Sequence, residues 1–217
     1  MESRILKSKL LNFAHGTRRI EWALAVAMLL LGTYQLLGAQ QPQEHTASIH
    51  QLFVQDQKDR KTPSSATPEQ WAKIRTRDAE RRRLAHQMLE SGAIQTGKDF
   101  KDASFIFQHG DSPQDYLLAH ILAIAALSKG EHSARWIAAA TLDRYLQSIN
   151  QPQVFGTQYR SNDSQTIPHN ATQAPYNSAL LTDAMRKDFC IPSSEVQRQN
   201  LIALNQGKTM QLSGACP

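Results

Sequence analysis

Cysteine is nearly absent: Cys190 and Cys216 are the only two in 217 residues. Neither belongs to a CxxC pair, and no His/Cys set has zinc-site spacing, so the usual signs of a structural zinc or a dithiol centre are missing. The chain also lacks a GxxxxGK[ST] phosphate loop, a GxSxG elbow and an HExxH helix, so no motif announces nucleotide, acyl-transfer or zinc-hydrolase chemistry. No cofactor is implied, and no internal repeat is visible. What remains is an ordinary apolar fraction of 41% and a length suited to one folded domain with appendages.

The net charge of +5 is unevenly spread. Residues 1–39 hold Arg4, Lys7, Lys9, Arg18 and Arg19 against Glu2 and Glu21, which leaves only +2 for the rest. A basic leader accounts for most of the excess, so the charge does not point to nucleic acid. Residues 22–39 follow without a single charge. This is the n-region and h-region pattern of an export segment. Two readings stand. A signal peptide would be cleaved near Ala39, although Leu37 is large for the −3 position. A signal anchor would keep residues 22–39 as one membrane helix. Both carry the remainder across or onto the outer side of the cytoplasmic membrane. In that compartment Cys190 and Cys216 are candidates for one disulfide, worth about 3 kcal/mol on a chain-entropy estimate.

Residues 40–66 are polar, with few large apolar side chains beyond Ile49, Leu52, Phe53 and Val54, and read as a linker with one short apolar turn. The domain is expected over 67–207, with a tail at 208–217. Thr67-Pro68-Glu69 is a helix start, and its helix runs to about Glu90. Arg81, Arg82 and Arg83 follow Asp78 and Glu80 and read as a solvated, charge-paired face. A short helix is expected over Lys98–Gln108. The next opens at Ser112-Pro113, and its residues YLLAHILAIAALSK are apolar nearly all round, the mark of a core helix buried on most sides. Ser133 is expected to cap a helix through Ser148, and the short joint between these two predicts an antiparallel helical hairpin. Residues 151–177 are polar and irregular, a long loop of the kind that is functional or disordered. Helices over Ser178–Lys187 and Ser194–Asn205 complete the pattern. The fold expected is all-α or mainly α, with five to six helices, a long polar loop and an N-terminal export or membrane helix.

Three short elements stand out: Gln108, His109 and Asp111; Leu142, Asp143 and Arg144; Gln153, Phe155, Gly156, Thr157 and Gln158. Their order and spacing resemble a bacterial domain family of unknown function, over about a quarter of the chain. Gly110 stands where the family has Ala, and Phe155 where it has Tyr. The resemblance implies a mostly helical domain and brings no activity with it.

The residues themselves allow two readings. In one, His109 is a general acid/base, because an imidazole titrates near neutral pH. Asp143 or Asp111 orients it, Arg144 holds an anionic group through its planar fork, Gly156 admits a ligand close to the backbone, and Gln108, Gln153 and Gln158 add polar recognition. In the other, His109 and Asp111 serve as caps, and Asp143 and Arg144 pin a neighbouring loop, since buried charges need partners. No nucleophile is evident, which favours the second. His109, Asp111, His120 and His169 are suitable metal-ligand types, but their spacing matches no standard site, and His120 reads as a hydrogen-bonded core histidine. The leading function is a binding or interaction domain of the cell envelope, with a small polar ligand or an envelope protein as partner and the membrane reached through the N-terminal segment. The alternative is an enzyme using His109 on a small polar or anionic substrate.

Overall fold

A computed structural model describes residues 48–62, 66–161 and 170–210, all within a unit that begins at Ala47. The export segment at 1–39 lies outside the described residues, as do His169 and Cys216. The described part is mainly helical. It holds α1 (Ile49–Asp59), α2 (Pro68–Glu90), α3 (Gly97–Phe107), α4 (Pro113–Ser128), α5 (Arg135–Ser148), α6 (Asp183–Asp188) and α7 (Ser194–Asn205). Among these residues no helix is long and apolar enough to cross a membrane, and pairing of extended chain is limited to isolated bridges, Gln153 with Tyr176 and Arg160 with Thr172.

Local chemistry sets most helix starts. Ser48/Gln51, Thr67/Gln70, Thr96/Asp99 and Ser112/Asp115 each form a reciprocal capping box, satisfying two of the orphan N–H groups that every helix start exposes. Thr182 and Ser193 cap α6 and α7. The exception is α5. Ser133 does not cap it as expected, because its hydroxyl donates to Glu131 and accepts from Lys101. The chain enters α5 through a 3-10 turn, His132–Ala134. The start of α6 is also later than expected, because Arg186 takes the carbonyls of Ser178 and Leu181 for its guanidinium.

Packing corrects two further expectations. Residues 40–66 are not all linker: Ile49 and Leu52 of α1 are buried in one cluster with Met88 of α2, Ile106 and Phe107 of α3, and Leu122 of α4. The apolar α4 is not buried on most sides. It packs on α3 and α5 through Ala119, Leu122, Ala123 and Ala126, and leaves Ile121 and Ile124 53% and 46% exposed. Small residues such as Ala103, Ala123, Ala126 and Ala138 lie at the centre and let the backbones approach. Apolar content around a helix says that it can be buried, while the number of neighbours decides how much of it is.

Charge joins α1 to α2. Asp56, Asp59 and Asp78 face Arg60, Arg77 and Arg81. Arg60 reaches Asp78 at 2.6 Å, Arg77 holds Asp59 through two nitrogens at 2.7 and 2.9 Å, and Arg81 bonds both Asp59 and Asp78. Arg81 is therefore paired, as expected of this face, but it is buried rather than solvated. The hydrogen bonds from Arg77 outweigh desolvation and, with help from Arg81, hold the Asp59 carboxyl at about 2 instead of 3.8. A carboxyl with a folded pKa below its unfolded one adds stability above the unfolded value and loses it as pH falls through the folded value. The expected outcome is a wild-type urea midpoint that drops between pH 3.8 and about 2. Asp59→Asn is to be less stable at neutral pH and to show a flatter profile across that window.

A candidate anion site at the end of helix three

The three elements singled out in the sequence meet, and α5 is what joins them. Asp143 and Arg144 are neighbours on α5, so their side chains leave the helix in different directions. Asp143 is fully buried. Its Oδ1 accepts from the backbone N–H of Val154 (2.8 Å) and Phe155 (2.9 Å), and its Oδ2 from the N–H and hydroxyl of Thr157 (2.9 and 2.8 Å). Arg144 donates through Nη1 to the carbonyl of Gln108 (2.8 Å) and through Nε to Oε1 of Gln158 (3.3 Å). One helix position thus holds the 153–158 turn, and the next ties that turn to the end of α3.

Most of the residues proposed for recognition are occupied in building this turn. Gln153 is fully buried. Its amide donates to the carbonyls of Gln158 and Gln173 and accepts from the N–H of Gln158, while its backbone pairs with Pro175 and Asn177. Gln158 also donates to the carbonyl of Ala140. Gln173 reaches the carbonyl of Gly156, and Gln197 that of Phe155. These glutamines supply the donors and acceptors that a sheet would otherwise give an irregular buried chain. Gly156 has φ +80°, and a Cβ there would collide with Gln197 and Tyr176. The protein's own side chains are enough to require this glycine.

The expected carboxylate behind His109 is corrected too. Nδ1 of His109 donates to Oδ1 of Asp56 at 2.9 Å. Asp111, instead, is 71% exposed and pairs with Arg82 at 2.6 Å. Asp56 lies in the stretch read as linker. The Ser48-x-x-Gln51 capping signature, followed by Ile49, Leu52 and Phe53 at helical spacing, was the signal that could have found it. Asp56 is itself buried, and Arg60 lies 3.7 Å from its Oδ1.

Three successive carbonyls at the end of α3 receive side chains: Gln108 from Arg144, His109 from Arg82, and Gly110 from the hydroxyl of Tyr116. Arg82 has carboxylate partners in Asp111 and, at 3.9 Å, Asp115. Arg144 has none within ion-pairing distance among the described residues. Its guanidinium lies 5.9 Å from the Tyr116 ring. Burial pushes its pKa down, Tyr116 opposes that shift, and Arg60 adds to it. The end of α3 offers about half a negative charge as a helix dipole.

A further buried carboxylate, Asp102, takes Lys98 and His50 at 2.7 Å each. His120 donates to the carbonyl of Ala138 at 2.9 Å. Among the described residues no group of three His, Cys, Asp or Glu side chains could hold a metal ion. Cys190 is disulfide-bonded, and Cys216 lies outside the described residues.

Comparison with protein-family models, curated proteins and solved structures finds no match to this chain. The resemblance carried by the three short elements therefore rests on those residues alone.

Asp143→Ala strands three backbone donors and the Thr157 hydroxyl at once. Such a loss of buried partners is expected to cost about 3–5 kcal/mol, read as a fall in the urea midpoint, with Asp143→Asn in between because it keeps one acceptor oxygen.

Proposed function

We propose that this is a ligand-binding domain for a small anion, directed to the outer side of the cytoplasmic membrane by the basic and apolar segment at residues 1–39. The observation that supports it is Arg144. A guanidinium removed from much of its water needs a counter-charge, and this one meets only neutral oxygens and a partial helix dipole. Its Nη2 donates to no acceptor among the described residues, while Nε and Nη1 tie it to Gln158 and to the carbonyl of Gln108. A cation fixed by neutral partners is pre-organised for an anion it has not yet met.

The His109–Asp56 pair favours a second reading, an enzyme on a small anionic substrate. A buried carboxylate behind an imidazole fixes its tautomer and aims the other ring nitrogen outward, as in many general-base sites. Among the described residues no nucleophile is bonded to the pair, so binding is the reading preferred.

The test is calorimetric titration of the full-length chain in detergent with sodium acetate and with sodium phosphate. The expected result is saturable binding of an anion that weakens about tenfold or more in Arg144→Gln, since a charge-assisted hydrogen bond contributes about 1.5–3 kcal/mol. Wild-type protein that binds neither anion would sink the reading.

A further inference from the structure

The short apolar turn at Ile49, Leu52, Phe53 and Val54 is only half used by the fold. Ile49 and Leu52 enter the core, while Phe53 is half-buried and Val54 is 52% exposed. The ring of Phe53 meets His50 at 6.0 Å and Phe105 of α3 at 5.4 Å, and Phe105 meets Trp136 of α5 at 6.4 Å, centroid to centroid. Four rings from three helices thus form a row. Its last member, Trp136, is 38% exposed, and Val54 lies one turn beyond His50 on the same face of α1. Single apolar residues on a surface are ordinary, whereas a connected row is the kind of patch that meets another molecule or a membrane.

The charges around the row are sorted by sign. The carboxylates of α1, of α3 and of the turn into α5 are all buried or half-buried, and each is bonded. Asp56 takes His109, Asp59 takes Arg77 and Arg81, Asp99 takes the N–H of Thr96, Asp102 takes Lys98 and His50, and Glu131 takes Ser133. The exposed charges of these elements are basic. Lys58 stands one turn beyond Val54, and Lys98 lies beside His50, its Nζ 2.6 Å from Nδ1. Lys98 shares its carboxylate with His50, but Asp102 is buried and Lys98 is 51% exposed, so what faces solvent is the ammonium.

The row also begins where the chain arrives from residues 22–39. Only residues 40–47 separate that uncharged stretch from Ser48, the cap of α1. On the reading that residues 22–39 remain in lipid, His50, Phe53 and Val54 are the first ring and apolar side chains of α1 to follow them outside it. Tryptophan prefers the membrane–water interface, where one part of the ring is apolar and the other wet, and lysines beside it meet lipid phosphates.

We infer that the face formed by His50, Phe53, Val54, Phe105 and Trp136 lies on an anionic lipid surface, with Val54 and Trp136 at headgroup level and Lys58 and Lys98 on lipid phosphates. This goes beyond the anion at Arg144 and takes from the proposed function only that residues 1–39 reach the membrane.

Fluorescence of the full-length chain carrying Trp22→Phe and Trp71→Phe, which leaves Trp136 as the sole tryptophan, is the test. The protein is reconstituted into vesicles of phosphatidylcholine and phosphatidylglycerol, with and without bromine on the acyl chains. An interfacial ring lies within reach of the bromines, so about half of its emission is expected to be lost, with little quenching by aqueous iodide. Val54→Glu sets a carboxylate against anionic lipid. It is expected to restore quenching by iodide and to leave the urea midpoint unchanged, because Val54 is exposed. Free quenching of the Trp136 emission by iodide, with the chain in the vesicles, would overturn this inference and leave the anion reading and the anchor standing. So would protection from iodide without quenching by bromine, the sign that a second copy or another protein covers the face. Equal quenching by bromine in vesicles of phosphatidylcholine alone, or a Val54→Glu chain that stays protected, would overturn it as well. A chain that does not join the vesicles at all would remove the membrane reading of residues 1–39 with it.

Discussion

A buried carboxylate on a helix carries the C-terminal third of the described chain. Asp143 collects three backbone N–H groups and a hydroxyl from one turn, and that turn is where residues 153–158 acquire a fixed conformation without belonging to a helix or a sheet. The cost of burying the charge is offset by the number of donors that converge on it. Gln153, Gln173 and Gln197 extend the same solution outward, each taking backbone carbonyls that would otherwise be buried and unpaired. Arg186 does so again at the start of α6. Among the described residues of the irregular segment, side chains take the place of strands as partners for several backbone groups.

The next residue on α5 uses the opposite logic. Arg144 is a half-buried charge whose hydrogen-bond partners are neutral. Its position is determined by the carbonyl of Gln108 at the end of α3 and by Gln158, which belongs to the turn that Asp143 organises. Adjacent residues thus divide the work: one spends its charge on the fold, and the other is held in place with its charge unspent. The pairing of structure and unsatisfied charge at consecutive positions is what makes the end of α3 the candidate site.

The dense ion network between α1 and α2 has a third role. Six charges cancel in pairs, and Asp56 has enough capacity left to hold His109. Because Asp56 and Asp78 are both buried, replacing any one member strands another in a poorly solvated place. The network therefore adds a polar tie between α1 and α2 to the burial of Ile49 and Leu52, and its Asp56 holds Nδ1 of the imidazole.

Much of the helical scaffold was legible in the residues. Thr67-Pro68, Ser112-Pro113 and the Ser193 start announce their helices by local capping chemistry, which needs only neighbours in sequence. The tandem Asp143-Arg144 and the glutamine-rich turn stood out in the sequence as short elements. Which of them would be structural was not visible, because that depends on who stands opposite. Asp143 could not be assigned to the turn, nor Gly156 to Gln197 and Tyr176, until tertiary packing brought those partners together. The membership of α1 and the identity of the carboxylate behind His109 were decided in the same way: Asp56 reads as linker by composition, since a polar stretch is indistinguishable from a solvated one until its charges find partners more than fifty residues away. Local sequence determined where the helices begin, because caps act within a single turn, while tertiary structure alone decided which charges find a partner of opposite sign and which, like Arg144, meet only neutral oxygens.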